Sequence, residues 1–134
     1  MKRIKTICII DDDPITVFGI KKMLTSLDLA DEINTYVNGK EAIDDLSTKF
    51  NQKLDLPEVI FLDINMPIMD GWQFLERFIA LDISNKIRIN VVTSSIDPFD
   101  RNQWEQFRTK THHLIDFKNK PIRKGDILEI TKAA

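Results

Sequence analysis

A chain of 134 residues fits a single domain. Its hydrophobic fraction of 43% and charged fraction of 30% are those of an ordinary soluble globular protein, which excludes fibrous and disordered classes. The formal net charge is −2 and the basic residues are scattered, so no cationic stripe points to nucleic acid as a partner. The single cysteine, Cys8, cannot form an internal disulfide and is expected to be a small buried hydrophobe. The start Met1-Lys2-Arg3-Ile4-Lys5 is basic, but Asp11 cuts the apolar run behind it after four residues. That run is too short for a signal peptide or a membrane span, so a cytoplasmic protein with no membrane partner is expected.

In chain order, Ile7 to Ile10 reads as a buried strand, and Asp13-Pro14 opens a helix whose face carries Ile20, Met23, Leu24 and Leu27 at i, i+3, i+4, i+7. Glu32 to Val37 reads as a second strand ended by Asn38-Gly39, and Ile43, Leu46 and Phe50 mark the next helix. Val59 to Leu62 is a third buried strand stopped by Asp63, followed from Gly71 by a helix with Phe74, Phe78 and Leu81 on one face. Ile87 to Val92 is a fourth strand in which Asn90 is the one discordant residue. Trp104 and Phe107 suggest a fourth helix of weak periodicity, Leu114 to Phe117 a fifth strand, and Gly125 to Lys132 a short last helix. His112 and His113 match no metal-ligand spacing and are expected at the surface or a strand edge.

Five alternating β-α units predict an α/β fold with a parallel sheet and helices on both faces. With right-handed crossovers, the flavodoxin-like strand order 2-1-3-4-5 leads. No linker, low-complexity tract or repeat is visible, so residues 1–134 read as one domain with no second, output domain. The chemistry-bearing residues follow the strands. Asp11, Asp12 and Asp13 come after the first, Asp63 after the third, Thr93 and Ser94 after the fourth, and Lys120 after the fifth. In an open parallel sheet ligands bind outside those ends, so these residues are expected to share one pocket. Crowded carboxylates repel, and oxygen ligands with open positions suit Mg²⁺. A lysine and a threonine opposite could hold phosphoryl oxygens, a setting for in-line attack by an aspartate on phosphorus. Taken singly each residue has a plainer reading. Asp13 or Thr93 could cap a helix, Asp63 could be a loop residue, and Lys120 a surface lysine.

Ile9-Ile10-Asp11-Asp12-Asp13-Pro14, the stretch from Val59 through Asp63, Asn65, Pro67 and Asp70-Gly71, Val91-Val92-Thr93-Ser94 and Lys120-Pro121 together resemble response-regulator receiver domains of two-component signalling. The resemblance covers nearly the whole chain. It implies that Asp63 is the phosphoacceptor and that Asp11, Asp12, Asp63 and the backbone carbonyl of Asn65 are metal ligands for Mg²⁺. It further implies that Thr93 bonds the phosphoryl group, that Lys120 pairs with it, and that Pro67 and Gly71 shape the loop. Phe117 falls where the family often has an aromatic that changes rotamer on activation, so Thr93 and Phe117 are the implied switch. The implied partners are a histidine kinase or histidine phosphotransfer protein as donor and a downstream protein that the sequence does not name. The stretch from Asp97 to Trp104, where the family carries much of its partner surface, is unusually rich in polar and aromatic residues, so the resemblance does not name the partner; the last helix is short and offers little dimer face beside strand five, so a monomer or weak dimer is expected. The implied activity is a signalling switch, a shuttle in a phosphorelay or a stand-alone effector, that catalyses only its own phosphorylation and dephosphorylation. A phosphatase of the haloacid-dehalogenase type would need a second carboxylate where Asp63-Ile64-Asn65 has none, and a scaffold that had given up phosphorylation would be expected to have lost an acid or the lysine.

Overall fold

The computed structural model describes residues 3–131, and in it five parallel strands alternate with five helices. The elements are β1 (Ile4–Ile10), α1 (Pro14–Ser26), β2 (Ala30–Tyr36), α2 (Gly39–Asn51), β3 (Val59–Leu62), α3 (Gly71–Ile79), β4 (Arg88–Thr93), α4 (Pro98–Phe107), β5 (Leu114–Asn119) and α5 (Lys124–Ile130). The sheet order is β2-β1-β3-β4-β5, as the sequence pattern predicts. Met1 and Lys2 of the basic start, and Lys132 at the end of the last expected helix, lie outside the described residues. Among the described residues no helix is long and apolar enough to cross a membrane.

The strands are apolar on both faces because both faces are covered. Cys8, Ile10, Ile60, Leu62, Ile89 and Val91 point to one side, where they meet Ala42, Ile43 and Leu46 of α2, Phe74, Leu75 and Phe78 of α3, and Phe107 of α4. Ile7, Ile9, Val59, Phe61 and Val92 point to the other, against Ile20 and Leu24 of α1 and Ile127 of α5. The alternation is the two-residue period of a pleated strand seen twice. Fully burying each such side chain contributes about 1.5–3 kcal/mol, so the three central strands are the least deformable part of the molecule. Of the four apolar residues expected on the face of α1, Ile20 and Leu24 are buried; Met23 and Leu27 pack at its margin.

Helix starts are set by caps. Asp13 accepts the N–H of Ile15 at 3.1 Å, Asn38 that of Glu41 at 2.8 Å, Asp70 that of Gln73 at 2.8 Å and Asp97 that of Phe99 at 3.0 Å. The cap reading of Asp13 therefore holds, whereas Thr93 caps nothing and α4 starts at Asp97-Pro98.

His113 departs from the surface position expected of it. It is 4% exposed, its Nδ1 accepts the N–H of Ile87 at 3.0 Å, and its ring lies 5.7 Å from that of Phe78. Ile87 precedes β4 and its N–H would otherwise be a buried orphan, so the imidazole takes the place of a backbone acceptor. His112 is exposed, with Nε2 3.2 Å from the Asn85 carbonyl oxygen. Burial, with a smaller contribution from His112, pushes the His113 pKa down to about 4. The unfolded chain thus takes up a proton near pH 6.5 that the folded chain refuses. Stability supplied by neutral His113 is complete above about pH 6.5 and falls as pH drops toward 4. Replacing the titrating group by His113→Gln is expected to remove about 2–3 kcal/mol of the acid-induced loss between those limits. Thermal melts across that range check it; parallel curves for variant and parent would assign the acid limb elsewhere.

Candidate functional site

Register brings the strand ends together. Ile10 pairs with Leu62 across β1 and β3, so Asp11 and Asp63 emerge side by side. Asp63 donates its N–H to the Ile10 carbonyl at 2.9 Å, which fixes that neighbourhood. Thr93 pairs with Asn119 across β4 and β5, and the Lys120 N–H donates to the Thr93 carbonyl at 2.9 Å, which places Lys120 on the same rim.

Oxygens of Asp11, Asp12 and Asp63 lie within 4.8 Å of one another. Asp11 and Asp63 are buried and Asp12 is exposed. The Lys120 Nζ is 3.1 Å from Asp11 Oδ2 and 3.7 Å from Asp63 Oδ1, and its side chain is only 17% exposed, which removes the surface-lysine reading. Asp11 Oδ1 accepts the N–H of Asp13 at 2.9 Å, and Asp63 Oδ1 accepts that of Ile64 at 2.9 Å. Burial pushes the Asp11 carboxyl above the ordinary range against the pull of the Asp13 N–H and Lys120. Burial first, then the Asp11 charge, pushes Asp63 up to about 6 despite Lys120. This is what a cluster short of positive charge does. Three hard oxygens with solvent access through Asp12 suit a small divalent cation.

The loop between β3 and α3 is tightly built. Gly71 donates its N–H to the Ile64 carbonyl at 2.8 Å, and a Cβ there would stand 2.4 Å from the Asp63 carbonyl oxygen. Only glycine lets α3 start so close to Asp63. Ile68 has φ 71° and is 80% exposed, a left-handed backbone that a β-branched residue adopts at a cost of about 1–3 kcal/mol. Nothing in the sequence signals that turn, because the position carries no glycine or asparagine. Asn65, two residues past Asp63, is exposed at the rim.

Thr93 is fully buried, and its Oγ accepts the N–H of Ser95 at 3.0 Å. Phe117 is half-buried, 5.9 Å from the ring of Trp104, with the Arg101 guanidinium 5.7 Å from its centroid. All the residues singled out by sequence thus lie at or just below one end of the sheet. The sequence reading passed over Trp72 and Asp100, which meet beside Thr93: the Trp72 indole N–H donates to Asp100 Oδ1 at 2.9 Å. Neither sits at a strand end, so no positional signal marks them.

The chain matches the family model described as response regulator receiver domain over residues 7–132. It is 30% identical over 125 residues to two-component response regulator 24 of Arabidopsis thaliana, covering 93% of this chain and 80% of that protein. It is 29% identical over 133 residues to hybrid signal transduction histidine kinase L of Dictyostelium discoideum, covering 98% of this chain but 7% of that protein. The chain therefore spans a small part of the length of that relative. A two-component response regulator from Cytophaga hutchinsonii has the same fold, with TM-score 0.79 and 24% identity over 96% of this chain and 95% of that one.

In the metal-free protein, Asp63→Asn is expected to stabilise. The folded pKa near 6 lies above the unfolded value, so the ionised form is the costly one and stability rises as pH falls through 6. At pH 7.5 the variant should be more stable by about 2 kcal/mol, and the difference should vanish near pH 4. Denaturant unfolding at both pH values checks this; a gain that is the same at both would contradict the assigned cause.

Proposed function

The chain belongs to the response regulator receiver domain family, and on that premise we propose that it is a phosphoacceptor switch that takes a phosphoryl group from a phosphohistidine donor onto Asp63. The observation that carries this reading is a buried carboxylate with a raised pKa, flanked by two more carboxylates and a lysine. In the transfer an Asp63 oxygen attacks phosphorus. The new P–O bond forms as the donor's P–N bond breaks, and the imidazole leaves with the bonding pair and takes up a proton. Asp11, Asp12, Asp63 and the Asn65 carbonyl would hold Mg²⁺, which when bound offsets the negative charge gathered at the pocket.

The remaining work falls to the chain's own groups. Lys120, now shared between Asp11 and Asp63, turns its charge to a phosphoryl oxygen. The Thr93 hydroxyl can donate to another while its oxygen still accepts the Ser95 N–H. Drawing Thr93 toward the phosphoryl group vacates space that Phe117 can turn to fill. The face from Ser94 to Phe117 then changes shape, either for a downstream protein or as a stage in a phosphorelay. A cleft of about 380 Å³ beside Ser95, Arg101 and Phe117, with Ile96 and Phe99 exposed near it, supports that choice of face. The donor would be a histidine kinase or histidine phosphotransfer protein, the protein acting on no substrate beyond its own aspartate, and the compartment the cytoplasm.

A small-molecule phosphodonor with Mg²⁺ should add one phosphoryl group, read by intact mass. Asp63→Asn should give no stable adduct, and chelating the metal should suppress the adduct on the parent. An adduct of undiminished yield on Asp63→Asn would move the site elsewhere.

A further inference from the structure

One polar cluster lies outside the phosphoryl pocket yet is tied to it. Asp100, in the first turn of α4, is 7% exposed. Its Oδ1 accepts the Trp72 indole N–H from α3 at 2.9 Å, and its Oδ2 accepts the Ser95 hydroxyl. Ser95 in turn donates its N–H to Thr93 Oγ at 3.0 Å, while its carbonyl accepts from the Asn119 side chain at 2.9 Å. An unbroken hydrogen-bonded path therefore runs Thr93–Ser95–Asp100–Trp72. Trp72 also stacks on Phe107, the last residue of α4, with centroids 5.6 Å apart and planes 9° from parallel, so it grips the helix at both ends.

An acid in the first turn needs no burial to favour a helix N-terminus. Burying it against an indole N–H and a serine hydroxyl does something else. Among the described residues of α4, Asp100 and Phe107 are the buried ones, and Trp104, half-buried beside Phe117, donates its indole N–H to the Ile115 carbonyl at 2.8 Å, so the first turn of this helix is held by one carboxylate and its later turns by two rings rather than by a continuous apolar stripe. Such a helix has a low cost of displacement. A buried carboxylate that loses one of its two donors is poorly satisfied, so the network is stable when complete and unstable when half made.

We infer that Ser95, Asp100 and Trp72 form a latch that positions Thr93 and α4 in the unphosphorylated arrangement and opposes the phosphorylated one. The inference rests on the receiver function proposed above. When Thr93 turns toward a phosphoryl oxygen, the bond from the Ser95 N–H draws Ser95 with it. The Ser95 hydroxyl leaves Asp100, the carboxylate seeks water, and the start of α4 swings outward with it. The latch sets how much of the binding energy at Asp63 is spent on moving α4, and these three are positioning residues that touch no reacting atom.

The test uses beryllofluoride, a phosphoryl mimic, with Mg²⁺ on the full chain. Ser95→Ala removes one donor to Asp100; Trp72→Phe removes the other and keeps the stack on Phe107. Each is expected to bind the mimic about tenfold more tightly, the worth of one hydrogen bond to a charged group. The double variant should gain little beyond either single change, because both open the same latch. Amides of residues 99–107 should exchange faster in the free variants than in the free parent. Unchanged affinity, even with lower thermal stability, would overturn the latch and leave a merely structural cluster, and so would gains that multiply in the double variant. Failure of the receiver reading looks different, since the parent itself would then take up no mimic.

Discussion

A single ammonium group, Lys120 Nζ, stands between two buried carboxylates, 3.1 Å from Asp11 and 3.7 Å from Asp63. Each such pair near 4 Å is worth about 4 kcal/mol of attraction at an effective dielectric of about 20, and the two carboxylates repel each other on the same scale. One lysine therefore cannot neutralise both. Burial first, and then the unmatched charge of Asp11, lets Asp63 hold a proton up to about pH 6. A pocket in that condition favours an added cation, and with the cation in place it favours a nucleophilic carboxylate over a protonated one.

The sheet supplies the geometry that the electrostatics require. Parallel pairing in the order β2-β1-β3-β4-β5 sets the ends of β1, β3, β4 and β5 next to one another. The buried central strands resist deformation, so Asp11 and Asp63 cannot drift apart to relieve repulsion. Gly71 closes α3 onto the Asp63 backbone, and the left-handed Ile68 turn completes the rim. On the β4 side the structure is softer. α4 presents little apolar surface, and its first turn hangs on Asp100 and the loop from Thr93. A rigid side that holds charge and a soft side that answers to it are the two parts a switch needs.

Much of this was legible in the sequence. β3 lies at Val59–Leu62 as its apolar run indicated, and every acid and the lysine of the pocket were readable as residues following strands. Element ends were less so: β1 begins three residues before its apolar run because Ile4 pairs with Ala30, and β5 continues through Asn119 because it follows β4 to Thr93. α4 was nearly invisible to periodicity, yet Asp97-Pro98 carries the same cap signal as Asp13-Pro14. His113 was not legible, because its role depends on an N–H contributed by Ile87, 26 positions away, just before β4. The Asp100–Trp72 contact was hidden for the same reason: 28 positions separate the partners, and neither has a spacing that betrays the other.

The most direct test of the account follows the Asp63 side-chain carboxyl carbon by NMR through a pH titration, with and without Mg²⁺. Without the ion the carboxyl should titrate near pH 6, and with saturating Mg²⁺ the midpoint should move well down, as the cation supplies the charge that Lys120 alone cannot. A midpoint in the ordinary carboxylate range without the ion, unmoved when Mg²⁺ is added, would contradict the claim that a charge deficit at Asp63 organises this site.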